Sequence, residues 1–110
     1  MGTIVEKVWG HEEWIINTNN YCGKRFLLKK GYQSSLHYHL EKDETFYVDE
    51  GKVLLELDRE KIIMNPGDSQ RILPKHMHRF SGLEESLIYE FSTHHSDDDV
   101  VRLEESRKMD

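Results

Sequence analysis

The chain has 110 residues, a formal net charge of −6 from 15 basic and 21 acidic residues, and a single cysteine, Cys22. That length holds one domain, read here as residues 1–110. No apolar run approaches the roughly 20 residues of a bilayer span, and an anion without a Lys/Arg cluster is a poor nucleic-acid binder. The opening MGTIVEKVWG has no apolar secretory stretch, and a lone cysteine cannot form an intramolecular disulfide. Both fit a cytoplasmic protein, with no membrane and no nucleic acid as partner.

In chain order, Gly10, Gly31, Gly51, Gly67 and Gly82 punctuate the sequence every 15 to 21 residues, the spacing of an all-β barrel or sandwich. Arg25 to Lys30, Thr45 to Val48, Lys61 to Met64, Ser69 to Leu73 and Ser86 to Phe91 read as short strands. Val53, Leu55 and Leu57 alternate with Leu54, Glu56 and Asp58, which predicts a strand with one buried face. Asn65-Pro66-Gly67-Asp68 is a turn, since proline presets one dihedral and glycine supplies a positive φ. From Asp97 the tail is open to two readings. Three aspartates could cap a helix with Val100 and Leu103 on one face, or Val101 and Leu103 could share a strand face. The expected fold is all-β with at most one short terminal helix.

Seven histidines are the compositional oddity, and four fall in two His-X-His pairs. On a strand, His37 and His39 point to one face. Four residues then turn the chain to Glu44, so a hairpin would set His39 opposite Glu44 and His37 opposite Phe46. A third imidazole, His76 or His78, follows Pro74. Three imidazole nitrogens with one carboxylate oxygen suit a divalent transition metal (Zn, Mn, Fe, Co or Ni) and leave positions open for water or substrate.

Gly31, five residues, His37-X-His39, four residues, Glu44, six residues and Gly51 resemble the first motif of the cupin superfamily at every position. Gly67, Pro74 and His78 resemble the second motif more loosely, with its later glycine missing. The resemblance implies a small jelly-roll β-barrel, usually dimeric, with His37, His39, Glu44 and His78 as metal ligands. It favours His78 over His76 because Arg79-Phe80 follows. A narrower likeness, through Lys7-Val8-Trp9-Gly10-His11-Glu12-Glu13-Trp14, Ser35-Leu36 and Asp97 to Glu104, is to the C-terminal cupin domain of type II mannose-6-phosphate isomerases. Val8 stands where those enzymes carry proline, and their terminal Tyr-Gly-Arg is absent.

That likeness implies a metal-dependent aldose–ketose isomerase acting on a sugar or sugar phosphate. The same donor set also serves iron or nickel dioxygenases, and a sugar-binding module without catalysis is a third reading. Lys42 is the candidate catalytic residue, either binding a sugar phosphate or shuttling a proton, against an exposed turn lysine. Tyr47 and Glu90 are possible acid/base groups. Arg79 is expected on the outer surface, and Arg102 either closes over the site or pairs at the surface. Trp9 and Trp14 could stack on a sugar or fill the core. His94-His95 with Asp97 to Asp99 reads as solvated surface, and His11 carries no pattern.

Overall fold

The computed structural model describes residues 3–110, which form thirteen strands and one turn of 3-10 helix. All strand pairs are antiparallel and build two sheets. The first runs β1 (Thr3–Lys7), β2 (Gly10–Asn17), β3 (Cys22–Leu28), β11 (Ser86–Ser92), β6 (Glu44–Glu50) and β9 (Ser69–Ile72). The second runs β12 (Val100–Glu104), β5 (Leu36–His39), β10 (His78–Gly82), β4 (Tyr32–Gln33) and β13 (Arg107–Lys108). On the other side of β10 lies β7 (Val53–Leu57), which pairs with β8 (Glu60–Met64). From β5 onward the chain repeatedly crosses between the sheets, the jelly-roll arrangement. No helix among the described residues is long and apolar enough to cross a membrane.

The crossing overturns one expectation. β5 and β6 do not form a hairpin: β5 pairs with β10 and β12, whereas β6 pairs with β11 and β9. Leu40 to Asp43 therefore carry the chain from one sheet to the other, and His39 and Glu44 meet across the interior instead of along a ladder. Period-two alternation fixes which face of a strand is buried but not which strand lies beside it.

Each inward strand face changes character along its length. On β6 the buried residues run Glu44, Phe46, Val48; on β11, Glu90, Ile88, Ser86; on β3, Lys24, Phe26, Leu28; on β10 His78 precedes Phe80. The registers align the polar ends, with Glu90 beside Lys24 and Phe46. One half of the interior is consequently an apolar core that includes Trp9, Phe26, Leu28, Phe46, Val48, Leu55, Ile72, Phe80 and Ile88. The other half is polar. Phe26, Phe46 and Phe80 separate them, with ring centroids 5.7–6.0 Å apart. Trp9 packs edge-on against Phe26 and Phe80, so it belongs to the core.

The tail combines its two readings. Ser96 caps a single 3-10 turn over Asp97–Asp99, accepting at Oγ from the Asp98 amide, and Val100–Glu104 then form β12. The added strand lies along β5, pairing Val100 with His39 and Arg102 with His37.

Gly10 opens β2 with a φ of +145°, and a Cβ there would collide with the Leu27 carbonyl. Gly67, in the predicted turn, has a φ of +93° but open space around it. Gly10→Ala should cost about 3 kcal/mol or prevent folding, whereas Gly67→Ala should cost only about 1 kcal/mol of backbone strain. Urea unfolding of the two variants measures the difference.

Candidate metal centre and cleft

β5 presents His37 and His39 inward, and the register His37↔His78 brings the first residue of β10 beside them. The ring centroids are 4.5 Å (His37–His78), 5.2 Å (His37–His39) and 5.8 Å (His39–His78) apart. One ring nitrogen from each lies within 4.8 Å of the others. The outer nitrogens are oriented by backbone: His78 Nδ1 is 3.0 Å from the His76 carbonyl, and His37 Nδ1 is 2.9 Å from the Ser35 carbonyl. A ring nitrogen held on a carbonyl carries the hydrogen, which leaves the Nε2 lone pair for the interior.

Glu44 enters from the opposite sheet. Its Oε2 lies 3.2 Å from His39 Nε2 and 3.0 Å from His78 Nε2. Even so, Glu44 Oε2, His78 Nε2 and His39 Nδ1 are buried without a properly directed hydrogen bond. Each such orphaned group costs about 1–3 kcal/mol, and a cation held by Glu44 and His78 would satisfy two of them at once. Together with the chemistry of the donor set, this means that the residues present fit a divalent transition metal. His76 stays outside the cluster, exposed on the preceding turn with Nδ1 2.8 Å from Asp58 Oδ2.

Beside the imidazoles, a cleft of about 90 Å³ opens between the sheets. Lys42 lines it, buried to 3% exposure, which corrects the reading of an exposed turn lysine. Its Nζ lies 2.6 Å from Glu90 Oε2, 3.0 Å from His95 Nδ1 and 3.8 Å from Glu44 Oε1. The backbone amides of Glu41 and Lys42 donate to the Asp99 carboxylate, so the 3-10 turn fixes the loop that carries Lys42. Glu90 faces the cleft and also accepts from Ser92 Oγ at 2.8 Å. Tyr47 lies on the other face of its strand, alternating with the buried Phe46 and Val48.

His95 departs from the surface expectation. It is buried, edge-on to Trp14 at 4.9 Å, and bridges Lys42 to Asp97 through an Nε2–Oδ1 contact of 2.9 Å. Lysine can only donate, so His95 Nδ1 accepts and Nε2–H donates to Asp97. His94 does stay exposed, against the Thr18 carbonyl. Trp14 belongs to a polar floor, with Nε1 donating to Glu12 Oε1 at 2.6 Å and Lys24 Nζ 4.3 Å from its ring centre.

Arg79 also differs from expectation. It does alternate away from His78, but it is buried, because Ser34 and Glu104 of the tail strand cover it. Arg102 lines the cleft from β12 while remaining exposed to solvent. His95 was the residue missed; its polar neighbours in sequence hide a position that Trp14 on β2 and Lys42 in the β5–β6 connection bury.

The titrating groups respond to this packing. Burial pushes the His37 imidazole down to about 3, aided by the charges that His78 and His39 acquire on protonation. Burial would lower His78 too, but the adjoining Glu44 carboxylate outweighs it and holds it above its usual value. Burial would raise Glu44, yet contacts from His39 and His78 and the charge of Lys42 keep it well below the carboxylate range. For Lys42, the Glu90 and Glu44 charges likewise outweigh burial and raise the ammonium. His95 is lowered by burial and by Lys42 and Lys24.

The chain belongs to the cupin family: the cupin-domain family model matches residues 24–88. Among curated proteins, the D-lyxose/D-mannose isomerase of Thermosediminibacter oceani is 31% identical over 78% of this chain, which spans 63% of that relative's length. Among solved structures, KdgF from Halomonas sp. is 26% identical with a TM-score of 0.75, covering 80% of this chain and 81% of its own. An RmlC-like cupin from Shewanella frigidimarina is 16% identical with a TM-score of 0.80, covering 88% and 87%. The last likeness shows the shared fold.

The shift at His37 gives an acid-stability prediction for chelator-treated protein. Folded His37 stays neutral down to about pH 3, while an unfolded imidazole takes up a proton near 6.5. Between those values the unfolded chain binds more protons, so stability falls as pH falls through this window. The raised His78 acts above pH 6.5 and leaves this slope unchanged. His37→Gln should flatten the loss of stability between pH 6 and 4, measured by urea unfolding at a series of pH values. An unchanged slope refutes the assignment.

Proposed function

We propose that this cupin binds one divalent transition metal through His37, His39, His78 and Glu44 and interconverts the aldose and ketose forms of a small sugar or sugar phosphate. The observation that carries the reading is the convergence of buried, unsatisfied Glu44 Oε2 and His78 Nε2 within an imidazole cluster that opens onto the Lys42–Glu90 pair. The relative named as a D-lyxose/D-mannose isomerase supports the choice of reaction. The narrower likeness to type II mannose-6-phosphate isomerases supports extending it to sugar phosphates.

A bound divalent ion would supply Lewis acidity to the sugar carbonyl and its neighbouring hydroxyl oxygen. Isomerisation then needs a base beside the sugar. The C–H bond next to the carbonyl must break and a C–H bond must form at the former carbonyl carbon, while a hydroxyl proton passes between the two oxygens. Glu90 is the base. Lys42 and Ser92 both hold Glu90 Oε2, which leaves Oε1 out of those contacts and available to carry the proton from one carbon to the other. Lys42 is thus a positioning cation for Glu90, itself steadied by His95.

Two measurements test this. In chelator-competition titrations, His37→Ala combined with His39→Ala should abolish zinc or nickel binding, whereas His76→Ala should leave it within about two-fold of wild type, because losing two of four donors removes most of the binding energy. With metal loaded, D-mannose, D-lyxose and their phosphates should yield ketose. Glu90→Gln should lower kcat about 10²–10⁴-fold while metal affinity stays unchanged. Metal-replete protein that isomerises none of these sugars defeats the proposal.

A further inference from the structure

The cleft wall carries four cationic side chains, Lys7, Lys24, Lys42 and Arg102, and four carboxylates. Every carboxylate is already held. Glu12 accepts from Trp14 Nε1 and lies 3.5 Å from Lys24; Glu44 meets His39 and His78; Glu90 meets Lys42 and Ser92; Asp97 meets His95. Lys42 and Lys24 are the cations committed to these pairs. Among the described residues, Lys7 and Arg102 make no ion pair and no side-chain hydrogen bond.

Their placement is specific. Lys7 ends β1, the edge strand of one sheet, and Arg102 lies on β12, the edge strand of the other. Because Arg102 is paired directly with His37, the two side chains leave the strands on the same face, toward the cleft. The exposed Asp97 carboxylate keeps its charge, because burial and the neighbouring lysines hold its partner His95 toward the neutral form. Lys7 and Arg102 are the unpaired cations of the cleft, Arg102 beside the imidazole cluster, in a chain whose net charge is −6. Such a pair attracts an oxyanion, and the guanidinium offers it a two-pronged donor.

We infer that Lys7 and Arg102 form an oxyanion subsite, and that the sugar bound here carries a carboxylate or phosphate group. The inference rests on the sugar-isomerase reading for the rest of the ligand. It assigns to Arg102 and Lys7 the anion recognition that the sequence suggested for Lys42, whose ammonium is occupied by Glu90 and His95.

The test is equilibrium binding at low salt, by calorimetry on zinc-loaded and chelator-treated protein, with D-mannose, D-mannose 6-phosphate and D-glucuronate. At least one anionic sugar should bind about ten-fold or more tighter than D-mannose, as expected for charge-assisted hydrogen bonds. Stronger binding of the phosphate identifies a phosphate group, and stronger binding of glucuronate a carboxylate. The double variant Lys7→Gln with Arg102→Gln should lose that preference while its zinc affinity, thermal midpoint and D-mannose affinity stay unchanged. Equal affinity for neutral and anionic sugars, or a preference that survives in the double variant, overturns the inference. A preference without ketose formation sinks the isomerase reading and leaves the subsite standing. Isomerisation of neutral sugars without any preference does the reverse.

Discussion

A carboxylate on one sheet faces imidazoles on the other, and much of the molecule is arranged around that meeting. Glu44 is almost wholly buried, and His39 and His78 lie within 3.2 Å of its Oε2. An ionised carboxylate in such a place is sustained only by compensating charge and directed donors. Lys42 supplies part of the charge, at 3.8 Å from the other oxygen. The remaining mismatch, orphaned atoms on Glu44 and His78, is the feature a divalent cation would remove.

Concentrating polar groups at one end of the barrel leaves the other end free to form a dry core. The strands accomplish this without breaking their alternation, because each places its inward ionisable residue at the same end. The phenylalanines at the boundary give the cleft an apolar base against Phe46 and His78, whose rings are 6.0 Å apart. Binding energy can thereby be directed at the polar groups, since the rigid aromatic layer fixes where the strands emerge.

The tail turns a scaffold into a cleft. Its aspartate turn accepts from the Glu41 and Lys42 amides, its strand seals the edge of β5, and Glu104 caps the buried Arg79. The loop bearing Lys42, the strand bearing His37 and His39, and the arginine beside His78 are all tied to one terminal segment. Positioning of the cleft groups is therefore distributed between residues about 60 positions apart, as in the contact of Lys42 with Asp99.

Alternation along Val53 to Leu57, the proline–glycine turn at 65–68 and the evenly spaced glycines made the β architecture legible without coordinates, since these signals depend on local dihedrals and on burial of one strand face. The spacing of His37, His39 and Glu44 likewise marked a cluster, because same-face imidazoles are a local property. What local patterns could not fix was partnership between strands. The reading that paired β5 with β6 failed for that reason, as did the surface placement of Arg79 and His95, whose burial comes from Glu104 and Trp14 in other parts of the chain. Side-chain direction is written in a few consecutive residues; which groups face one another depends on how the sheets stack, and only the folded chain decides that.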